Sequence, residues 1–179
     1  MAGNFNMTNM EALNEQMIGQ GQHPIFDTDT QSILESIGNR LDQEHDRIWD
    51  SLAGRKLKGR DLAEAVGEAL DPAKILLEAS ADWDGGYVIA GLIGNGDCFI
   101  MRDPAGIRPC FHFVNEEVAA FASERVALMS IFEKEKDQIT EVQPGEVICI
   151  KAGGKVVSGQ RDDRPEVKAC SFERIYFSR

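Results

Sequence analysis

Basic residues, cysteine, proline and long apolar runs are all scarce in this sequence. Nineteen Lys and Arg stand against thirty Asp and Glu, a net charge of −11. That deficit argues against a sequence-independent grip on nucleic acid, which needs clustered cations to displace counterions from phosphate. It argues equally against attraction to an anionic membrane surface. No run approaches the roughly 20 apolar residues of a membrane-spanning helix. The opening Met-Ala-Gly-Asn-Phe-Asn has neither the basic region nor the apolar core of a signal peptide. The expected setting is therefore cytoplasmic and reducing. In it the four cysteines (Cys98, Cys110, Cys149 and Cys170), which form no C-x-x-C pair, are expected as free thiols. There is no G-x-x-x-x-G-K-[ST] phosphate loop, no G-x-S-x-G elbow and no H-E-x-x-H, so no short motif names a reaction.

What is present is a globular composition, 42% hydrophobic and 27% charged, which rules out disorder over most of the 179 residues. The chain reads in two halves, mainly helical over 1–84 and mainly strands over 85–160. Thr8-Asn9-Met10-Glu11 fits a capping box ahead of Ala12, Leu13 and Met17, with Gly19 and Gly21 to end the helix. Thr28-Asp29-Thr30-Gln31 fits a second one. Behind it, Ile33, Leu34, Ile37, Leu41, Ile48 and Leu52 place one apolar stripe along a long helix. After a basic loop over 54–59, residues 61–70 and 72–81 read as two shorter helices, Pro72 being tolerated in a first turn.

From Tyr87 the period changes. Tyr87–Ile93 and Cys98–Met101 flank Asn95-Gly96, a strong hairpin signal. Pro104-Ala105-Gly106 suits a turn before 109–114, and Asn115-Glu116-Glu117 turns the chain into 118–122. A helix is expected over 123–132, then a hairpin of 146–150 and 155–157 across Gly153-Gly154. The run Tyr-Val-Ile-Ala-Gly-Leu-Ile does not alternate apolar with polar, so its strand should be covered on both faces. The fold class is α+β with largely antiparallel sheet.

Few side chains stand out chemically. Cys110 and His112 would share a face of one strand, but two ligands make no zinc site and the spacing is too long for a nucleophile–base hydrogen bond. They read as core or edge residues, His23 and His45 as solvated surface, and Arg55-Lys56-Leu57-Lys58-Gly59-Arg60 as an exposed connector. Arg102 and Arg108 around Asp103 could grip an anion or fix a turn by a buried ion pair; the residues favour the turn.

Several segments occur in a telling order: Gly-Asn-Phe-Asn-Met-Thr-Asn at 3–9, Thr-Asp-Thr at 28–30, Trp-Asp-Gly-Gly-Tyr at 83–87, Arg-Asp-Pro-Ala-Gly-Ile-Arg-Pro at 102–109, Ala-Ser-Glu-Arg at 122–125, Gln-Pro-Gly-Glu at 143–146 and Cys-Ser-Phe-Glu-Arg-Ile-Tyr-Phe-Ser-Arg at 170–179. As an ordered set they resemble the glutaminase domain of the amidophosphoribosyltransferases, class II glutamine amidotransferases. The resemblance implies an N-terminal-nucleophile fold, two mostly antiparallel sheets between helix layers (αββα). It implies an enzyme that hydrolyses glutamine and passes ammonia to phosphoribosyl pyrophosphate, giving 5-phosphoribosylamine for purine synthesis. In that family an N-terminal cysteine attacks the amide with its own α-amino group as base. An Asn side chain and a Gly backbone N–H in a His-Asn-Gly-Asn-Leu-like segment hold the oxyanion, and an Asp in a Thr-Asp-Thr-like segment binds the substrate ammonium.

Carried over, Gly3 matches the oxyanion glycine and Asp29 the ammonium-binding carboxylate. Asp29 has a simpler reading too, since a carboxylate at a helix start is favoured there anyway. Ala2 stands in the place of the oxyanion Asn, and no cysteine stands at the first position. The expectation is of the middle and end of a glutaminase domain, lacking the nucleophile and first strands, with 161–179 as hinge toward an absent phosphoribosyltransferase domain. Such a chain would be inactive alone. The intact enzyme would use magnesium and be a homo-oligomer. Some members also carry an iron–sulfur cluster, to which Cys170 would correspond, although here it reads as a plain buried thiol. The alternative is a non-catalytic binding protein or partner subunit of the same fold.

Overall fold

A computed structural model describes residues 1–26, 28–52, 54–55, 57–163 and 165–176. The chain divides into two compact units, Met1–Met7 with Gly85–Arg179, and Thr8–Asp84.

The first unit holds the sheets. The alternation of Phe5 and Met7 with Asn4 and Asn6 makes Ala2–Met7 a strand, β1, inside the half whose pattern is mainly helical. It pairs antiparallel with β2 (Gly85–Leu92), from Ala2 opposite Ala90 to Met7 opposite Gly85. β3 (Cys98–Arg102) follows across the expected turn, where Gly96 has φ 93°. β4 (Phe111–Val114) and β5 (Ala119–Ala122) form a second hairpin, whose turn is tied by Asn115 Oδ1 accepting from the N–H groups of Glu117 and Val118. After the short helix α5 and the two-residue β6 (Thr140–Glu141) come β7 (Glu146–Ile150) and β8 (Val156–Gln160), turning at Gly154 with φ 82°. One sheet has the order β1-β2-β3-β7-β8 and the other β5-β4-β6, all pairs antiparallel.

β2 is covered on both faces over Tyr87–Ala90, as the apolar run predicts, whereas Leu92 at its end is 80% exposed. Tyr87 and Ile89 are 1% and 0% exposed on one face. On the other, Val88 and Ala90 pack with Ile100, Cys110, Val142, Ile148 and Phe121, a cluster drawn from both sheets. Each large side chain buried this completely stabilises the fold by about 1.5–3 kcal/mol over its exposed state.

The second unit is four helices: α1 (Met10–Gly19), α2 (Asp29–Leu52), α3 (Arg60–Ala69) and α4 (Pro72–Ala79). Ile33, Ile37, Ile48 and Leu52 form the buried stripe of α2, but Leu34, expected with them, is 49% exposed. Ile48 and Leu52 pack against Val66 of α3, and Ser32 donates to the buried Asn14 Oδ1 at 2.7 Å, joining α2 to α1. Asp71 caps α4 by accepting from Lys74 N–H.

The first capping box does not form. Thr8 Oγ1 donates instead to Asp84 Oδ2 at 2.5 Å, Thr8 N–H to Asp84 O, and Asn9 bonds both Asp82 O and Asp84 N–H. These residues clasp the two ends of the helical unit, and a long-range network with charge assistance wins over a local cap. Of the helices in the first unit, α5 begins at Arg125 (Arg125–Phe132), and a last one, α6, spans Ser171–Tyr176. No helix among the described residues is long and apolar enough to cross a membrane.

Candidate functional site

Gly3 lies on β1, opposite Ile89. The bond from Thr8 N–H to Asp84 O (2.8 Å) sets the phase of the ladder: even-numbered residues of β1 exchange bonds with β2 and odd-numbered ones do not. The N–H and C=O of Gly3 and Phe5 therefore point away from β2. Among the described residues β1 is an end strand of its sheet, so these groups face an open edge. Glycine is needed here for a reason of its own, because a Cβ at position 3 would lie 2.3 Å from Val88 O. An outward N–H on an exposed glycine can stabilise a developing oxyanion. The sequence reading did not identify the second outward donor, Phe5 N–H; the Asn-Phe-Asn-Met alternation carried the signal.

Asp29, in the helical unit, is the first residue of α2 and half-buried. Thr28 Oγ1 accepts from Gln31 N–H at 3.4 Å, half of the expected capping box. The other half is absent because Gln31 Oε1 takes the N–H of Phe26 at 2.7 Å instead. The carboxylate thus stands in a first helical turn, where orphan N–H groups and the helix dipole favour an anion. Gly3 and Asp29 belong to different units.

The Arg102–Asp103 turn is structural, as the residues suggest, but Arg102 finds its carboxylate partner in Glu141 and not in Asp103. Arg102, 4% exposed, donates from Nε to Arg108 O (2.6 Å), from Nη1 to Glu141 Oε1 (2.8 Å) and Val142 O (2.5 Å), and from Nη2 to Gly106 O (3.2 Å). Asp103, fully buried, accepts from the N–H groups of Tyr87, Ile107 and Arg108. Every strong partner of Arg102 is internal, which leaves that guanidinium little with which to grip an anion.

Cys110 is buried, and desolvation pushes its thiol up to about 12, so it is no nucleophile. His112 stacks on Phe121 at 6.2 Å, and burial lowers its pKa against the opposing pull of Glu146. His23 and His45 are exposed. Cys170 is half-buried rather than buried, its N–H bonded to Ile107 O. Of the basic segment, Lys56 lies outside the described residues; Arg55, Lys58 and Arg60 are exposed, and Arg60 pairs with Glu64 at 2.7 Å.

No family model matches the chain. Curated proteins do: an amidophosphoribosyltransferase of Pasteurella multocida (strain Pm70) is 32% identical over 183 residues, 98% of this chain. That of Escherichia coli (strain K12) is 28% identical over 192 residues, 100% of the chain. Over its length the chain is similar to amidophosphoribosyltransferases. It spans about a third of them, 32% of each of these two relatives. The solved glutamine phosphoribosylpyrophosphate amidotransferase from B. subtilis, complexed with ADP and GMP, matches with a TM-score of 0.64 and 22% identity, covering 99% of this chain and 32% of that one. A structure described as the allosteric regulatory enzyme of purine biosynthesis matches at 0.61, also with 22% identity, covering 99% of this chain and 31% of that one. The α+β architecture with antiparallel sheets is thus that of the amidophosphoribosyltransferase structures.

Proposed function

We propose that the chain is the glutaminase-domain part of an amidophosphoribosyltransferase, which hydrolyses glutamine and transfers the ammonia to phosphoribosyl pyrophosphate. The observation that carries this is the end-to-end match, 98% of the chain at 32% identity, to a protein of that name. Two residues then take roles in amide hydrolysis. The outward N–H of Gly3 donates to the oxyanion that forms when the amide carbon becomes tetrahedral, and the Asp29 carboxylate pairs with the substrate ammonium.

The nucleophile is not supplied by the residues in hand. The first cysteine is Cys98, whose nitrogen is a peptide amide, so one residue cannot serve as both nucleophile and base. The 179-residue polypeptide by itself is therefore expected to hydrolyse no glutamine. Magnesium belongs in this reading with the phosphoribosyl half of the reaction. A four-thiolate cluster does not fit these residues alone: among those described, no three His, Cys, Asp or Glu side chains converge.

The test is Asp29→Ala in the complete gene product that contains these residues. Loss of a charge-assisted contact of about 1.5–3 kcal/mol raises the glutamine KM roughly 10- to 100-fold, while synthesis from free ammonia is unchanged. An unchanged glutamine KM removes the assignment.

A further inference from the structure

The helical unit contains a groove of about 220 Å³ that the glutaminase reading does not use. It lies among α1, α2 and α4, with Leu13 and Met17, each 4% exposed, in its lining. Asn39 and Arg40 are 10 and 11 residues beyond Asp29, about 15 Å along α2 at 1.5 Å per residue, so the groove is separate from the start of that helix.

The groove's polar rim has two unlike ends. At one, Asn39 Nδ2 donates to Gln20 Oε1 (2.5 Å) and Arg40 Nη1 to Gln43 Oε1 (3.0 Å). Those bonds, with Gln43 Nε2 donating to Asn39 Oδ1 (3.1 Å), occupy one acceptor site on each amide oxygen and leave the Gln20 Nε2 protons and most of the guanidinium N–H groups to donate. At the other end, Gln16 Nε2 donates to Asp82 Oδ2 (3.1 Å), which leaves Asp82 Oδ1 and Gln16 Oε1 to accept. Gln16 of α1 and Gln20, the residue that caps its C-terminus, are about one turn apart, about 6 Å along the axis. A donor-rich end carrying Arg40 and an acceptor-rich end carrying Asp82 thus stand about one turn apart beside buried apolar side chains, and the lining's second carboxylate, Glu78, is paired with Lys74 at 3.8 Å.

We propose that this groove binds a small linear amino acid whose ammonium and a carboxylate are separated by a short methylene chain, glutamate-sized or an ω-amino acid. The carboxylate meets Arg40 and Gln20, the ammonium meets Asp82 and Gln16, and the methylenes lie against Leu13 and Met17. The volume falls below the roughly 300–1,000 Å³ typical of drug-sized ligands, which suits a small ligand better than a nucleotide. α-Amino acids without a second polar end, such as glycine, hold their charges too close together to span the rim.

The test is side-chain amide NMR of the complete gene product containing these residues, with 4-aminobutanoate, L-glutamate, glycine and butyrate. The first two are expected to give saturable shifts at the amide groups of Gln16, Gln20, Asn39 and Gln43, and the last two none. Arg40→Gln and Asp82→Asn, both at exposed positions, should each weaken binding about tenfold or more, the loss of one charge-assisted contact, with an unchanged far-UV spectrum. Asp29→Ala should leave it intact. No saturable shift, or shifts that survive both groove variants, overturns the proposal. Shifts lost in Asp29→Ala alone would also overturn it and would place the ligand at the start of α2, leaving the glutaminase reading standing.

Discussion

Replacing Arg102 with Lys keeps the charge and removes the fork. In the native turn one guanidinium serves three backbone carbonyls, at Gly106, Arg108 and Val142, and the Glu141 carboxylate. An ammonium at the end of a flexible stem cannot address acceptors spread around a plane, and it is the more strongly hydrated ion to bury. With Glu141 and one carbonyl retained, two acceptors lose their donor. Each buried acceptor left unmade costs about 1–3 kcal/mol, so the expected destabilisation is about 4 kcal/mol. Total stabilities run about 5–15 kcal/mol, so this is a large fraction of the whole. Both tryptophans lie in the helical unit, so the assay must report on the sheets. Amide exchange at Ile89 and Met101, buried in the sheet Arg102 ends, does so directly. Protection there should fall by about a thousandfold, as 1.4 kcal/mol per factor of ten requires. A loss below about 1 kcal/mol, no more than an exposed control such as Arg60→Lys gives, would refute the reasoning.

Other outcomes follow from the same geometry. Burial pushes the Asp97 carboxyl up, but the Lys151 ammonium, 2.8 Å away, with Ala152 N–H and the Asn95 amide outweighs it and holds the carboxyl below its usual range. A carboxylate depressed by folding contributes stability above its unfolded pKa of about 3.9, lost as pH falls through the lower folded value. Asp97→Asn should cost about 2–3 kcal/mol at pH 7, less than the 3–5 of a fully buried pair because Lys151 retains 15% exposure, and should flatten acid unfolding below about pH 4; equal acid profiles would contradict this. Cys110 should resist a thiol reagent at pH 8 in the native chain and react once unfolded in urea; rapid native labelling would contradict its burial. Gly3→Ala should destabilise the β1–β2 ladder by about 1–3 kcal/mol through collision with Val88 O, read by urea unfolding; a neutral result would show that the strands can part there freely.

Much of this was legible in the sequence where local chemistry and tertiary demand agree. Asn95-Gly96 placed a hairpin because only glycine takes φ 93° without strain, and Asp71-Pro72 opened a helix as its cap geometry requires. The apolar run of β2 showed that both its faces are covered over Tyr87–Ala90. What was not legible depends on distant partners. Thr8 carries a good local capping signal, yet its hydroxyl goes to Asp84, 76 positions away. Gln31 abandons its capping partner for Phe26 N–H, and Leu34 shares the α2 stripe by spacing but not by burial. β1 was legible in principle, though only its last four residues, Asn4 to Met7, alternate polar with apolar, which is a weak signal. Of the candidate site, Gly3 and Asp29 came from ordered motifs; the outward phase of the Gly3 N–H came only from the register.

The central claim is most directly tested by assaying the complete gene product containing these 179 residues with glutamine and phosphoribosyl pyrophosphate. The account predicts one glutamate and one pyrophosphate released per phosphoribosylamine formed, with glutamine consumption impaired by Asp29→Ala. A folded product that makes phosphoribosylamine from ammonia but consumes no glutamine, or that uses neither substrate, would contradict it.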